Sequence, residues 1–175
     1  FISYLQSFTN TYAPIDKLKK LYDEAISHAD VVVLAIGTRP DCLSEEVLDL
    51  IETYKDKVEV WLDVGIQTTH NKTLEFINRA STEEDFFDAL KRAKKRNLMV
   101  CTHTIFGLPG ETKEMYYETM KKLAASEIDA IKIHQLLVLE KTKMAKQYEE
   151  GLFKVLELDE YIELVCDFLE MLPPN

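Results

Sequence analysis

Two hydrophobic periods take turns along this chain, a repeat of two and a repeat near 3.6, and each switch marks a new element. Phe1 to Phe8 is rich in aromatic residues and is predicted to be a strand. Asp16 to His28 places Leu18, Leu21, Tyr22, Ala25 and Ile26 on one helical face. Val31 to Ile36 is a short, wholly apolar strand. Ser44 can cap a helix that buries Val47, Leu48, Ile51 and Tyr54. Val58 to Gln67 is the next strand, and Ser81 with Glu84 predicts a capping box for a helix burying Phe86, Phe87, Leu90 and Ala93. Leu98 to Phe106 is a strand that Gly107-Leu108-Pro109-Gly110 breaks. Thr112 opens a helix with Met115, Tyr116, Met120 and Leu123 inward, Ala130 to Leu139 is the fifth strand, and Asp159 to Leu172 is the last helix. That helix carries Tyr161, Ile162, Val165, Phe168, Leu169 and Leu172 along one side.

Strands alternating with helices imply an α/β fold with a parallel sheet and right-handed crossovers. The strand faces choose the architecture. In Val58–Gln67, Val60, Leu62, Val64 and Ile66 share one apolar face, while Trp61, Asp63, Gly65 and Gln67 share the other. Strands of a doubly wound sheet are covered on both faces and read as continuous apolar runs. Here Asp63 and Gln67, then His103, then Lys132 and His134 give three strands a polar face near their C-terminal ends. That pattern predicts a partial TIM-like (β/α) barrel with a wet mouth, the end where such barrels place their chemistry.

With 175 residues and 46% hydrophobic content, residues 1–175 are expected to form a single domain. A net charge of −10 and a pI near 4.9 argue against a broad nucleic-acid footprint. No stretch is long and apolar enough to span a membrane, and no signal peptide is visible. Cys42, Cys101 and Cys166 are far apart and have no metal-ligand spacing, so no metal ligand is assigned and free thiols of a cytoplasmic protein are expected. The opening at Phe1 without a methionine, and the close at Pro173-Pro174-Asn175, suggest a piece of a longer parent.

Several residues carry possible chemistry. Gln67 and Arg79, joined by a short amphipathic turn, could hold a polar ligand at the strand mouth. The glycine loop at Gly107 could admit an anion at a helix start, although it has neither a Walker lysine nor a dinucleotide glycine pattern. His103 and Cys101 share a strand face about 7 Å apart, too far for a direct hydrogen bond, and no third orienting group is apparent; a satisfied interior histidine is the expectation. Lys132 with His134 receives the same reading. Arg39 can clamp a carboxylate, of a ligand or of a neighbour such as Asp41 or Asp63.

The ordered set Gly37-Thr38-Arg39-Pro40-Asp41, Asp63-Val64-Gly65-Ile66-Gln67-Thr68, Ile77-Asn78-Arg79 and Phe106-Gly107-Leu108-Pro109-Gly110-Glu111 resembles the later part of a radical SAM core. It is similar to the Elongator catalytic subunit, to the oxygen-independent coproporphyrinogen III oxidases and, through Gln6-Ser7-Phe8-Thr9-Asn10-Thr11 and Gly37 to Cys42, to YhcC-type proteins. The resemblance implies a partial (β/α)6 barrel of which the five strands are the second to the sixth. It implies a parent enzyme that cleaves S-adenosylmethionine reductively at a [4Fe–4S] cluster, with an electron donor and an unidentified substrate. The CxxxCxxC loop that holds the cluster is absent from these 175 residues, so the fragment alone is expected to be inactive.

By the same resemblance, Gln67 and Arg79 match the polar pair that approaches the ribose and the methionine carboxylate. His103 stands where the porphyrinogen oxidases have an aspartate near the ribose, and Ile105 and Gly107 match positions that back the adenine. Gln6 to Thr9, with Thr9 as the contact, takes the place of the glycine-rich segment that receives the methionine amine, and Gly37 replaces an acidic ribose ligand. The acidic charge disfavours nucleic-acid binding by this segment, which leaves such binding open only through other segments of the parent. The fragment is expected to self-associate through its first strand, or to leave its first residues mobile. Two other readings remain open on the sequence: a conventional TIM-barrel lyase or isomerase using Lys132 and the Gly107 loop, and a non-catalytic barrel binding domain.

Overall fold

The computed structural model describes residues 1–174. Five parallel strands, β1 (Ile2–Leu5), β2 (Val33–Thr38), β3 (Glu59–Gln67), β4 (Met99–Phe106) and β5 (Ala130–Gln135), lie in sequence order in one sheet. Each is followed by helix: α1 (Ile15–Ala25), α2 (Glu45–Glu52), α3 (Asn71–Phe76) with α4 (Glu83–Lys95), α5 (Lys113–Ala124), and α6 (Lys143–Glu149) with α7 (Leu158–Met171). The sheet curls into a half-barrel, bringing Tyr4 of the first strand within 3.1 Å of Lys132 of the last.

Helices α1, α2, α4, α5 and α7 bury one face on the convex side. Leu34, Ile36, Val60, Leu62, Val64, Ile66, Val100 and Phe106 pack there against Tyr22, Leu48, Ile51, Phe86, Leu123 and Phe168. The concave face keeps the polar alternation read from the strands, with Asp63, Gly65 and Gln67 on β3 beside Cys101, His103 and Ile105 on β4.

Several boundaries differ from the sequence reading. The first strand ends at Leu5, because the Asn10 amide donates to Leu5 O (2.7 Å) and Gly37 O (3.1 Å) and turns the chain over β2. The fifth strand stops at Gln135: its neighbour β4 ends at the glycine loop, and Leu137 and Leu139 run out exposed. The capping box is formed by Thr82 and Asp85, one residue beyond Ser81 and Glu84, and Ser81 is itself buried. In α7 the buried residues are Leu164 and Phe168, whereas Ile162 and Leu169 are exposed. Helix α6, capped by Thr142, was not foreseen.

Candidate functional site

The register between β3 and β4 sets Asp63 opposite Cys101 and Gly65 opposite His103, and β5 adds Lys132 opposite His103. Asp63 is 3% exposed and receives the Lys132 ammonium on Oδ2. Lys132 also donates to the Tyr4 hydroxyl and lies 4.6 Å above that ring. His103 Nε2 is 3.5 Å from Asp63 Oδ2 and buried without a hydrogen-bond partner. Strand pairing thus sets Asp63 beside the His103–Cys101 pair, a neighbour that the sequence did not show.

Electrostatics fix the protonation of this layer. Burial works to raise the Asp63 pKa, but the His103 ring, the Lys132 ammonium and the Tyr4 hydroxyl outweigh it and hold the carboxyl well below the usual range. Burial pulls Lys132 down, yet its bonds to Asp63 and Tyr4 leave its pKa raised. Burial, then the Asp63 charge, push the Cys101 thiol up to about 12. The ligand atoms of Asp63, Cys101 and His103 lie within 4.8 Å of one another, a spacing a metal could bridge. The Lys132 ammonium already occupies the Asp63 carboxylate, so the cluster is built around an ion pair. The same ion pair removes the unprotonated amine that a Lys132-based lyase needs. Beneath this layer a cavity of about 380 Å³ is lined by Ile2, Tyr4, Trp61, Met99 and Ala130 among others.

One layer towards the strand ends, Gln67 and Arg79 converge. Arg79 follows α3 and donates through Nη2 to Gly65 O at 2.6 Å, while its Nε is buried without a partner. Among the described residues no carboxylate pairs with Arg79. Burial, then the Arg39 guanidinium, lower its pKa. A Cβ at Gly65 would collide with Gln67 Nε2 and come within 3.0 Å of Arg79 Nη2, so a larger residue there would displace the ends of the two side chains above it. Arg39 is committed to Asp41 in a bidentate pair (2.9 and 2.6 Å), which settles its partner as a neighbour.

Of the other expected contacts, His103 lies beside Gly65, and Ile105 faces the same side opposite His134. Partial burial, then His103 and Lys132, lower the His134 pKa. Gly107 closes β4 with φ +91°, a left-handed conformation that favours glycine. Thr9 is half-buried in the loop that Asn10 ties over β2. Helix α5 is capped by Thr112, and the half-buried Glu111 stands at its start, where a carboxylate opposes anion binding. No helix among the described residues is long and apolar enough to cross a membrane.

Comparison with known proteins gives these features a setting. YhcC of Escherichia coli (strain K12) is 38% identical over 176 residues, a match that takes in all of this chain and 57% of that protein. The structure of the archaeal Methanocaldococcus infernus Elp3 superposes with a TM-score of 0.75 at 28% identity, covering 90% of this chain and 37% of that one. Coproporphyrinogen III oxidase (HemN) from Escherichia coli, a radical SAM enzyme, has the same fold with a TM-score of 0.70 at 23% identity, over 93% of this chain and 37% of that one. The chain spans about half the length of the curated relatives it matches. The radical SAM C-terminal domain model matches residues 128–175 and the radical SAM superfamily model residues 2–123; with the half-barrel and its polar concave face, this places the chain in the radical SAM superfamily.

Proposed function

We propose that this chain is the part of a radical SAM enzyme's core barrel that holds S-adenosylmethionine, with Gln67 and Arg79 as its principal contacts. The observation that carries the reading is Arg79: a half-buried guanidinium with an orphaned Nε and no carboxylate partner among the described residues. A buried cation without a counter-charge is costly, and a carboxylate is the group whose geometry matches the guanidinium fork. The α-carboxylate of S-adenosylmethionine meets that need. The Gln67 amide offers a donor and an acceptor to the ribose hydroxyls, with His103 beside it; Ile105 and Gly107 back the adenine, and Thr9 lies towards the amino end.

Bound at a [4Fe–4S] cluster, S-adenosylmethionine supplies the carbon radical that takes hydrogen from a substrate. The residues of this chain orient the molecule and shield it from water; they do not hold the cluster. Cys42 and Cys101 are buried on separate elements and Cys166 is exposed on α7, which does not fit cluster ligation. The cluster ligands and the electron donor belong to the rest of the parent enzyme. Isothermal titration of the reconstituted full-length protein tests the reading. Gln67→Ala and Arg79→Ala should each weaken S-adenosylmethionine binding by about 1.5–3 kcal/mol, the scale of a hydrogen bond to a charged group. Unchanged affinity in both would remove these residues from the site.

A further inference from the structure

Five non-glycine residues have positive φ among the described residues, and Gln67, at +72°, is the one that lies in a strand. Two of the others are asparagines, which tolerate this region through their short polar side chains. Glutamine has no such local compensation, so something else must hold it. The β3–β4 register slips at the same place: Gly65 faces His103 and Gln67 faces Thr104, leaving Ile66 without an opposite residue. Such a bulge re-aims the side chain that follows it, and here it folds the Gln67 amide back over Gly65.

The holding groups are on the far side of the sheet. Thr104, 0% exposed, donates its hydroxyl to Gln67 O at 2.8 Å. The next residue, Thr68, is tied by its own hydroxyl to Glu111 at 2.6 Å. The carbonyl of the left-handed residue and the side chain that follows it are both fixed by elements other than β3.

We infer that Thr104 is a positioning residue: its hydroxyl holds the left-handed backbone of Gln67 and thereby aims the Gln67 amide across the mouth beside Arg79. Thr104 faces the helix layer and never meets the ligand. The bulge and the hydrogen bond stand without any ligand; only their consequence for affinity rests on the reading of Gln67 as a contact to S-adenosylmethionine. Thr102 is a matched control. It is equally buried on the same strand face and donates to Val64 O at 3.0 Å, but its acceptor lies before the bulge, in regular strand.

The test begins with the 175-residue chain in NMR, reading the HN–Hα coupling of Gln67 and its side-chain amide resonances. Thr104→Val should move both away from their wild-type values, while Thr104→Ser and Thr102→Val should leave them in place. Thr104→Ala replaces the valine variant if that protein does not fold. In the full-length protein, Thr104→Val should then weaken S-adenosylmethionine binding by up to about tenfold, the scale of one lost neutral hydrogen bond, with Thr104→Ser restoring it. Gln67 signals that persist in Thr104→Val, or that move equally in Thr102→Val, would overturn the inference. If the signals move only with Thr104 while neither Thr104→Val nor Gln67→Ala changes affinity, the positioning stands and the ligand reading fails.

Discussion

The Asp63–Lys132 pair offers the sharpest energetic test, because its two partners differ in burial. The Asp63 side chain is 2% exposed and that of Lys132 is 41% exposed. Removing one partner of a buried pair leaves an uncompensated charge and costs about 3–5 kcal/mol. Lys132→Met strands the enclosed carboxylate and should lie near the upper value, about 5 kcal/mol; Asp63→Asn strands a half-exposed ammonium and should cost about 3 kcal/mol or less. With a urea m-value of about 2.5 kcal/mol/M, the midpoints should fall by about 2 M and 1.2 M. Unfolding would be followed by far-UV circular dichroism and by Trp61 fluorescence. Asp63→Leu combined with Lys132→Met should recover most of the loss, since a packed apolar pair replaces a buried ion pair at little cost.

Acid adds a second signature. In the native chain the Asp63 carboxyl titrates below its unfolded value of about 3.9, so its stabilisation is complete above that pH and is lost as pH falls further. In Lys132→Met, burial is less opposed and the folded value rises, which reverses the slope: stability then falls as pH rises from about 4. The gap between wild type and Lys132→Met should therefore narrow between pH 7 and pH 5. A Lys132→Met variant within about 0.5 kcal/mol of wild type, or a gap independent of pH, would refute the reasoning.

Burial raises the Glu111 pKa against the donations of Thr68 and Thr73, so the native state prefers this group protonated and loses stability as pH rises from about 4.3 through the raised value. Glu111→Gln should flatten that slope and gain on wild type between pH 4 and pH 7, as read by urea midpoints at each pH. After anaerobic reconstitution the 175-residue chain should contain no iron, because its cysteines come from separate elements; stoichiometric iron and sulfide with a charge-transfer band would contradict this. The free edge of β1, which pairs with β2 alone, should drive self-association or leave Ile2–Leu5 open to exchange. Light scattering and amide exchange check the two outcomes, and a strict monomer with protected Tyr4 and Leu5 amides rules out both.

The alternation of apolar and polar positions by itself determined the order of the five strands, the parallel sheet and the concave polar face, because strand and helix periods differ and one-sided burial shows in either. It also singled out Gln67 at a strand end and Arg79 after the next turn as a polar pair. What it could not determine depended on contacts remote in sequence. Asp63 joined Cys101 and His103 through a register that no local pattern encodes, and Lys132 met Asp63 across 69 residues. The cap fell on Thr82 instead of Ser81 because both can accept the helix N–H groups, and packing buried Ser81. In α7 Leu164 joined the expected Phe168 in the core while Ile162 and Leu169 stayed exposed, because the neighbouring elements decide which of several apolar positions on a helix they cover. The left-handed Gln67 was hidden for a related reason: glutamine signals no such backbone, and the hydroxyl that meets its carbonyl comes from Thr104 on the adjoining strand.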